Sequence, residues 1–157
     1  MTPQLLCDSV ADKVGVDRRL LRAIVATESA WNQWAMRFEP VYRWTLDIDK
    51  HAKACGITAA TEEMCQKTSW GLCQVMGAVA REQGYAGPLA ALTDPALSLT
   101  HGAKLLARLA TRYTDPHDVI VSYNAGSPRR SPDGKYVNLE YLRRVLAEME
   151  RLKAAGF

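Results

Sequence analysis

The chain has 157 residues, 48% of them hydrophobic and 24% charged, the make-up of one soluble globular domain long enough to bury a core. A formal charge of +3 is too mild to point to nucleic acid, although it suits an anionic polymer. No apolar run approaches the roughly 20 residues that cross a bilayer, so no membrane span is expected.

The N-terminus, MTPQLLCDSVADKVGVD, has no basic start and meets acidic residues early. It does not read as a secretory signal, and work outside the cytoplasm would need another route of export. Thr2-Pro3 predicts a helix start with proline at its first position, Leu6, Val10 and Val14 an apolar stripe, and Gly15 a stop. Asp17 is the expected cap of a second helix, in which Leu21, Ile24 and Val25 recur at helical spacing. A continuous helix puts Glu28, seven residues after Leu21 and four after Ile24, on that same apolar face. A carboxyl group there loses hydration and holds its proton longer, as a general acid must. A water-exposed glutamate at a frayed helix end fits the same residues.

From Asn32 to Ser69 the pattern breaks, and a stretch this long and irregular is usually functional or an insertion. It has room for a short hairpin or a substrate-covering lobe. Trp34, Tyr42 and Trp44 suit stacking on sugar rings, although core packing is the ordinary role of any one of them. Thr58 or Thr61 caps a short helix. Ser69–Met76, SWGLCQVM, reads as a turn entering a helix over Gly77–Gln83. Gly71 there points to an unusual dihedral, and Gln74 either needs partners or faces solvent. Ala96–Tyr113 is the longest clear helix, with Leu99, Ala103, Leu106 and Ala110 on one stripe and His101 as a structural histidine. Asp115-Pro116 opens a buried helix through Val119–Ser122 that ends at Tyr123-Asn124 and Gly126. That pair would orient a substrate at the edge of a core, and ordinary C-capping explains Asn124 and Gly126 equally well. The last helix, Leu139–Ala155, turns Leu142, Val145, Leu146 and Met149 inward. Arg129, Arg130, Arg143, Arg144, Arg151 and Lys153 read as a solvated basic face, with binding of an anionic polymer as the second reading. Cys7, Cys55, Cys65 and Cys73 show no CxxC spacing and the three histidines are scattered, so no metal site is expected. Cys55 and Cys65 would close a loop in an oxidising space.

Taken in order, Glu28-Ser29, then Gly71-Leu72-Cys73-Gln74-Val75-Met76, then Ser122-Tyr123-Asn124-Ala125-Gly126, then Tyr141 ahead of Arg143-Arg144-Val145-Leu146, resemble the lytic transglycosylase (SLT) family. The resemblance runs from about residue 17 to 150. It implies a mainly α, lysozyme-like fold related to goose-type lysozyme, a single domain over 1–157 with a small irregular or β-containing lobe around residues 32–69. It makes Glu28 the catalytic acid and base, and Ser29, Gln74, Tyr123, Asn124 and Tyr141 the residues that hold substrate or the glutamate. Cys73 stands where methionine is usual and Ser122 where alanine is common.

The implied partner is the glycan strand of peptidoglycan, cut between N-acetylmuramic acid and N-acetylglucosamine by a monomer that uses no metal or cofactor. The long 32–69 stretch resembles phage-encoded members, and the N-terminus without a secretory signal leads to the expectation that the chain acts on the cell wall (periplasm) by way of phage lysis, a virion or a specialised export route. A hydrolase on the same fold would need a second carboxylate, for which Glu39, Asp47 and Asp49 are candidates. The alternative from another class is a catalytically silent wall-binding module.

Overall fold

The computed structural model describes residues 2–157. The described residues form eight helices and three short strands, the mainly helical class expected: α1 (Pro3–Val14), α2 (Arg18–Ser29), β1 (Met36–Phe38), α3 (Ile48–Cys55), α4 (Ala59–Gln66), β2 (Thr68–Trp70), β3 (Val75–Met76), α5 (Gly77–Glu82), α6 (Pro95–Arg112), α7 (Pro116–Ala125) and α8 (Leu139–Ala154). A 3-10 turn covers Leu89–Thr93. No helix among the described residues is long and apolar enough to cross a membrane. The chain divides into two compact units, one built from residues up to Thr27 with Ala103–Phe157, the other from Glu28–Gly102.

The first unit is helical. Thr2 Oγ1 accepts from Leu5 N to cap α1, and Gly15 ends it in the left-handed conformation, as expected. The buried face of α1 is Cys7, Val10 and Ala11, whereas Leu6 and Val14 of the expected stripe are half-buried. The difference follows from Asp8: its carboxylate is buried too and accepts from Arg22 Nε on α2 at 2.7 Å, which turns this side of α1 inward. Arg22 also lies over the Phe157 ring, 3.8 Å from its centroid. Asp17 caps α2 through Leu20 N at 2.6 Å. On α6 the expected stripe holds through Ala103 and Leu106 but fails at Ala110, which is exposed because the buried face has turned to Leu105 and Leu109. Five consecutive residues of α7, Val119–Tyr123, are buried, so this helix is covered on every side. It packs against α8, which buries Tyr141, Leu142 and Val145. The basic set on α8 and the preceding loop is exposed throughout.

The second unit holds a three-stranded antiparallel sheet in the order β1-β2-β3, with Met36 opposite Trp70, Phe38 opposite Thr68, and Trp70 opposite Val75. Thus the irregular stretch does carry a strand, but the sheet is completed beyond it by the hairpin around residues 71–74. Trp70 packs with Ala80, Leu89 and Leu92 into a small core. Beside it Glu62 of α4 and Arg81 of α5 form an ion pair with both side chains fully buried. Every guanidinium hydrogen of Arg81 is used. Nε and Nη2 go to the Glu62 carboxylate at 2.8 and 2.9 Å, Nη1 to the carbonyls of Tyr85 and Gly87, and Nη2 also to Cys55 Sγ at 3.7 Å. Burial pushes the Glu62 carboxyl up, but hydrogen bonds from Arg81 and Gln66 with the Arg81 charge outweigh it and hold the group below its ordinary range. All four cysteines are free thiols.

Candidate functional site

Glu28 sits inside the last turn of α2, not beyond a frayed end, and is half-buried. The backbone just beyond this turn is unusual. Ala30 and Trp31 both take positive φ, +50° and +65°, a conformation that costs non-glycine residues on the order of 1–3 kcal/mol each. Two such residues in succession turn the chain sharply away, so the helix stops at Ser29 and the Glu28 carboxylate is left on its final turn.

Hydrogen bonds fasten that end to the hairpin of the second unit. Ser29 Oγ donates to the Leu72 carbonyl at 2.8 Å. The 71–74 turn is itself rigid. Gly71 has φ +68°, and a Cβ there would collide with the Leu92 carbonyl and lie 2.8 Å from Ser98 Oγ, so only glycine fits. Ser98 Oγ accepts from Cys73 N at 3.1 Å. Gln74, at φ +47°, faces inward and is braced on three sides: Nε2 donates to the carbonyls of Ala35 and Gly71, both at 3.0 Å, and Oε1 accepts from Ser69 Oγ at 2.9 Å. Two bonds donated by one nitrogen fix which way this amide points. Of the two readings of Gln74, the one with partners is the observed one. The structure ties Ser29, next to Glu28 in the chain, to the hairpin that carries Gln74, within one unit.

Tyr123, Asn124 and Tyr141 come together in the other unit. Tyr123 is buried and Asn124 exposed at the C-terminal end of α7, where Gly126 at φ +76° caps the helix. Tyr141 lies buried in the first turn of α8. Asn138, not singled out in the sequence, joins these elements: Nδ2 donates to the Val121 carbonyl and to Asn124 Oδ1, both at 3.0 Å. Its position directly before a helix, where asparagine is favoured, was the signal that could have found it. Asn124 is therefore oriented by a side-chain bond, in addition to any capping.

The other expectations divide. His101 is buried and structural, with Nδ1 2.7 Å from Gln83 Oε1 and its ring edge-on to Tyr85. Glu39 pairs with Arg37 at 2.6 Å, Asp47 lies 4.0 Å from Lys50, and Asp49 stands in the first turn of α3. Trp34 and Trp44 are exposed, so core packing is not their role.

The family model for the transglycosylase SLT domain matches residues 6–140. Comparisons with curated proteins and with solved structures gave no match. The match spans the Glu28 turn, the 71–76 segment and the end of α7, and with it the helical fold is accounted for: the chain belongs to the transglycosylase SLT domain family.

Proposed function

We propose that the protein is a peptidoglycan lytic transglycosylase that cuts the β-1,4 bond between N-acetylmuramic acid and N-acetylglucosamine with Glu28 as acid and base. The observation that supports it most is a glutamate on the half-buried last turn of α2, the helix end that Ser29 fastens to the hairpin carrying Gln74. Glu28 protonates the glycosidic oxygen as the bond breaks and positive charge develops at the anomeric carbon. The substrate's acetamido group stabilises that charge. The ionised Glu28 then removes the proton from the C6 hydroxyl, which closes a 1,6-anhydro ring, so that no water is consumed. Ser29 holds the turn that carries the acid through the Leu72 carbonyl, and by resemblance to the family Ser29, Gln74, Tyr123, Asn124 and Tyr141 are the residues that hold the substrate or the glutamate.

Mass spectrometry of the products from purified peptidoglycan tests this. Muropeptides one water lighter, without a reducing end, are expected. Glu28→Gln keeps the shape and removes the transferable proton, and it should lower turnover by about a hundredfold to ten-thousandfold with folding intact. Reducing-end products would make the protein a hydrolase and direct attention to Glu39, Asp47 and Asp49. Normal cleavage by Glu28→Gln would end the assignment.

A further inference from the structure

Between Trp34 and Leu46 the second unit presents six exposed large apolar side chains: Trp34, Met36, Phe38, Val41, Trp44 and Leu46. Such a concentration marks an interaction surface. Trp34 and Trp44 are 68% and 63% exposed. Met36 and Phe38, two residues apart on the edge strand β1, share one face of the sheet and extend it past the buried core.

The strip is fixed in place. The Ala35 carbonyl, next to Trp34, accepts from Gly71 N at 2.8 Å and from Gln74 Nε2 at 3.0 Å. The same turn receives the hydrogen bond from Ser29, so one hairpin holds both the backbone beside Trp34 and the helix end that carries Glu28. Trp44 is steadied by Tyr42, edge-on with centroids 5.4 Å apart.

Charge selects the partner. Arg37 is paired with Glu39, and Lys50 lies 4.0 Å from Asp47. Arg43, whose guanidinium lies 5.3 Å from the Trp44 ring centroid, is in no ion pair among the described residues. One unpaired cation is too little for an anionic lipid surface, which calls for a cluster of about four to eight. It suits a ligand with flat, uncharged C–H faces and an occasional carboxylate.

We propose that this strip docks a peptide-bearing glycan strand beyond the reacting sugars, with Trp34 and Trp44 stacking on sugar faces and Arg43 taking a stem-peptide carboxylate. It rests on the reading of the chain as a glycan-cleaving enzyme.

The test is isothermal titration of the full chain carrying Glu28→Gln with peptide-bearing octasaccharide strands and with strands stripped of their peptides. The double change Trp34→Ala/Trp44→Ala should weaken binding of both by tenfold or more. Arg43→Gln should weaken only the peptide-bearing strand. In the active chain the double change should raise KM and leave kcat unaltered. The altered side chains are exposed, so thermal melting should be unchanged. Unaltered affinity for octasaccharide overturns the proposal. So does loss of binding to vesicles of equal parts phosphatidylglycerol and phosphatidylcholine with glycan affinity retained, which would make the strip a membrane contact. If the unaltered chain cleaves no peptidoglycan but the double change still abolishes glycan binding, the catalytic reading falls and this surface stands.

Discussion

A buried hydroxyl without a partner costs more than a methyl group in its place, because desolvation is not repaid. Ser122 on α7 is such a case: Oγ is buried and has no hydrogen-bond partner. Alanine, the residue common at this position in the family the sequence resembles, removes the orphan and is the better helix former. Ser122→Ala should therefore raise stability by about 1–2 kcal/mol, read as a higher urea midpoint at constant slope. A lower midpoint would mean that Oγ has a partner after all. The two left-handed glycines of the motifs should part company. At Gly126 an added Cβ meets nothing within 4 Å, so Gly126→Ala should cost only the backbone penalty of about 1–2 kcal/mol. At Gly71 the same penalty is joined by collision with the Leu92 carbonyl, which cannot rotate away, so the loss should be clearly larger. Equal losses in denaturant titrations would refute the close approach. At this scale Glu28 was legible because its register against Leu21 and Ile24 is a property of one helix. Gln74 was not. Its partners are two backbone carbonyls and Ser69 Oγ, and the carbonyls acquire their positions only when the hairpin and β1 come together.

Helices announced themselves through their ends. Thr2, Asp17, Thr58 and Asp115 each accept a hydrogen bond from a backbone N–H in the next turn, and Gly15 and Gly126 close their helices in the left-handed conformation. The strands did not, because two or three residues are too few to establish an alternating pattern and all of β1 is exposed. Nor did the sequence reveal that α4 and α5 are joined by Glu62 and Arg81, since a glutamate on a short polar helix ordinarily faces water. Removing one partner of a buried pair leaves the other uncompensated, so Glu62→Gln should cost about 3–5 kcal/mol. The pH dependence has a definite sign. Glu62 has a lowered pKa in the folded state, so its contribution is present above the ordinary carboxylate value of about 4.3. It is lost as the pH falls through the lowered folded value. Between neutral pH and pH 3 the unaltered protein should lose more stability than Glu62→Gln, compared by urea midpoints. Parallel losses would show that the pair does not titrate with folding.

Two helices belong to both compact units: α2 passes from one to the other at Thr27–Glu28, and α6 passes back at Gly102–Ala103. Helix formation is cooperative along the chain, so melting one half of either helix removes hydrogen bonds from the other half. We propose on this ground that the chain unfolds as a single domain. The cysteines supply reporters at suitable places. Cys7, in one unit, is fully buried, and burial with the nearby Asp8 carboxylate pushes its thiol up to about 12, so thiolate is scarce in the folded protein. Cys73, in the other unit, is a fully buried residue of the 71–74 turn. Both should resist a thiol reagent until their own unit opens, whereas Cys55, only half-buried, should react in the folded state. Labelling across a urea series, with each site read by peptide mass, should expose Cys7 and Cys73 at the same midpoint. Separate midpoints would mean that each unit holds its own share of α2 and α6 without the other. The chain would then be two folding units that share one family signature, and the stability of the Glu28 turn would be set by the second unit alone.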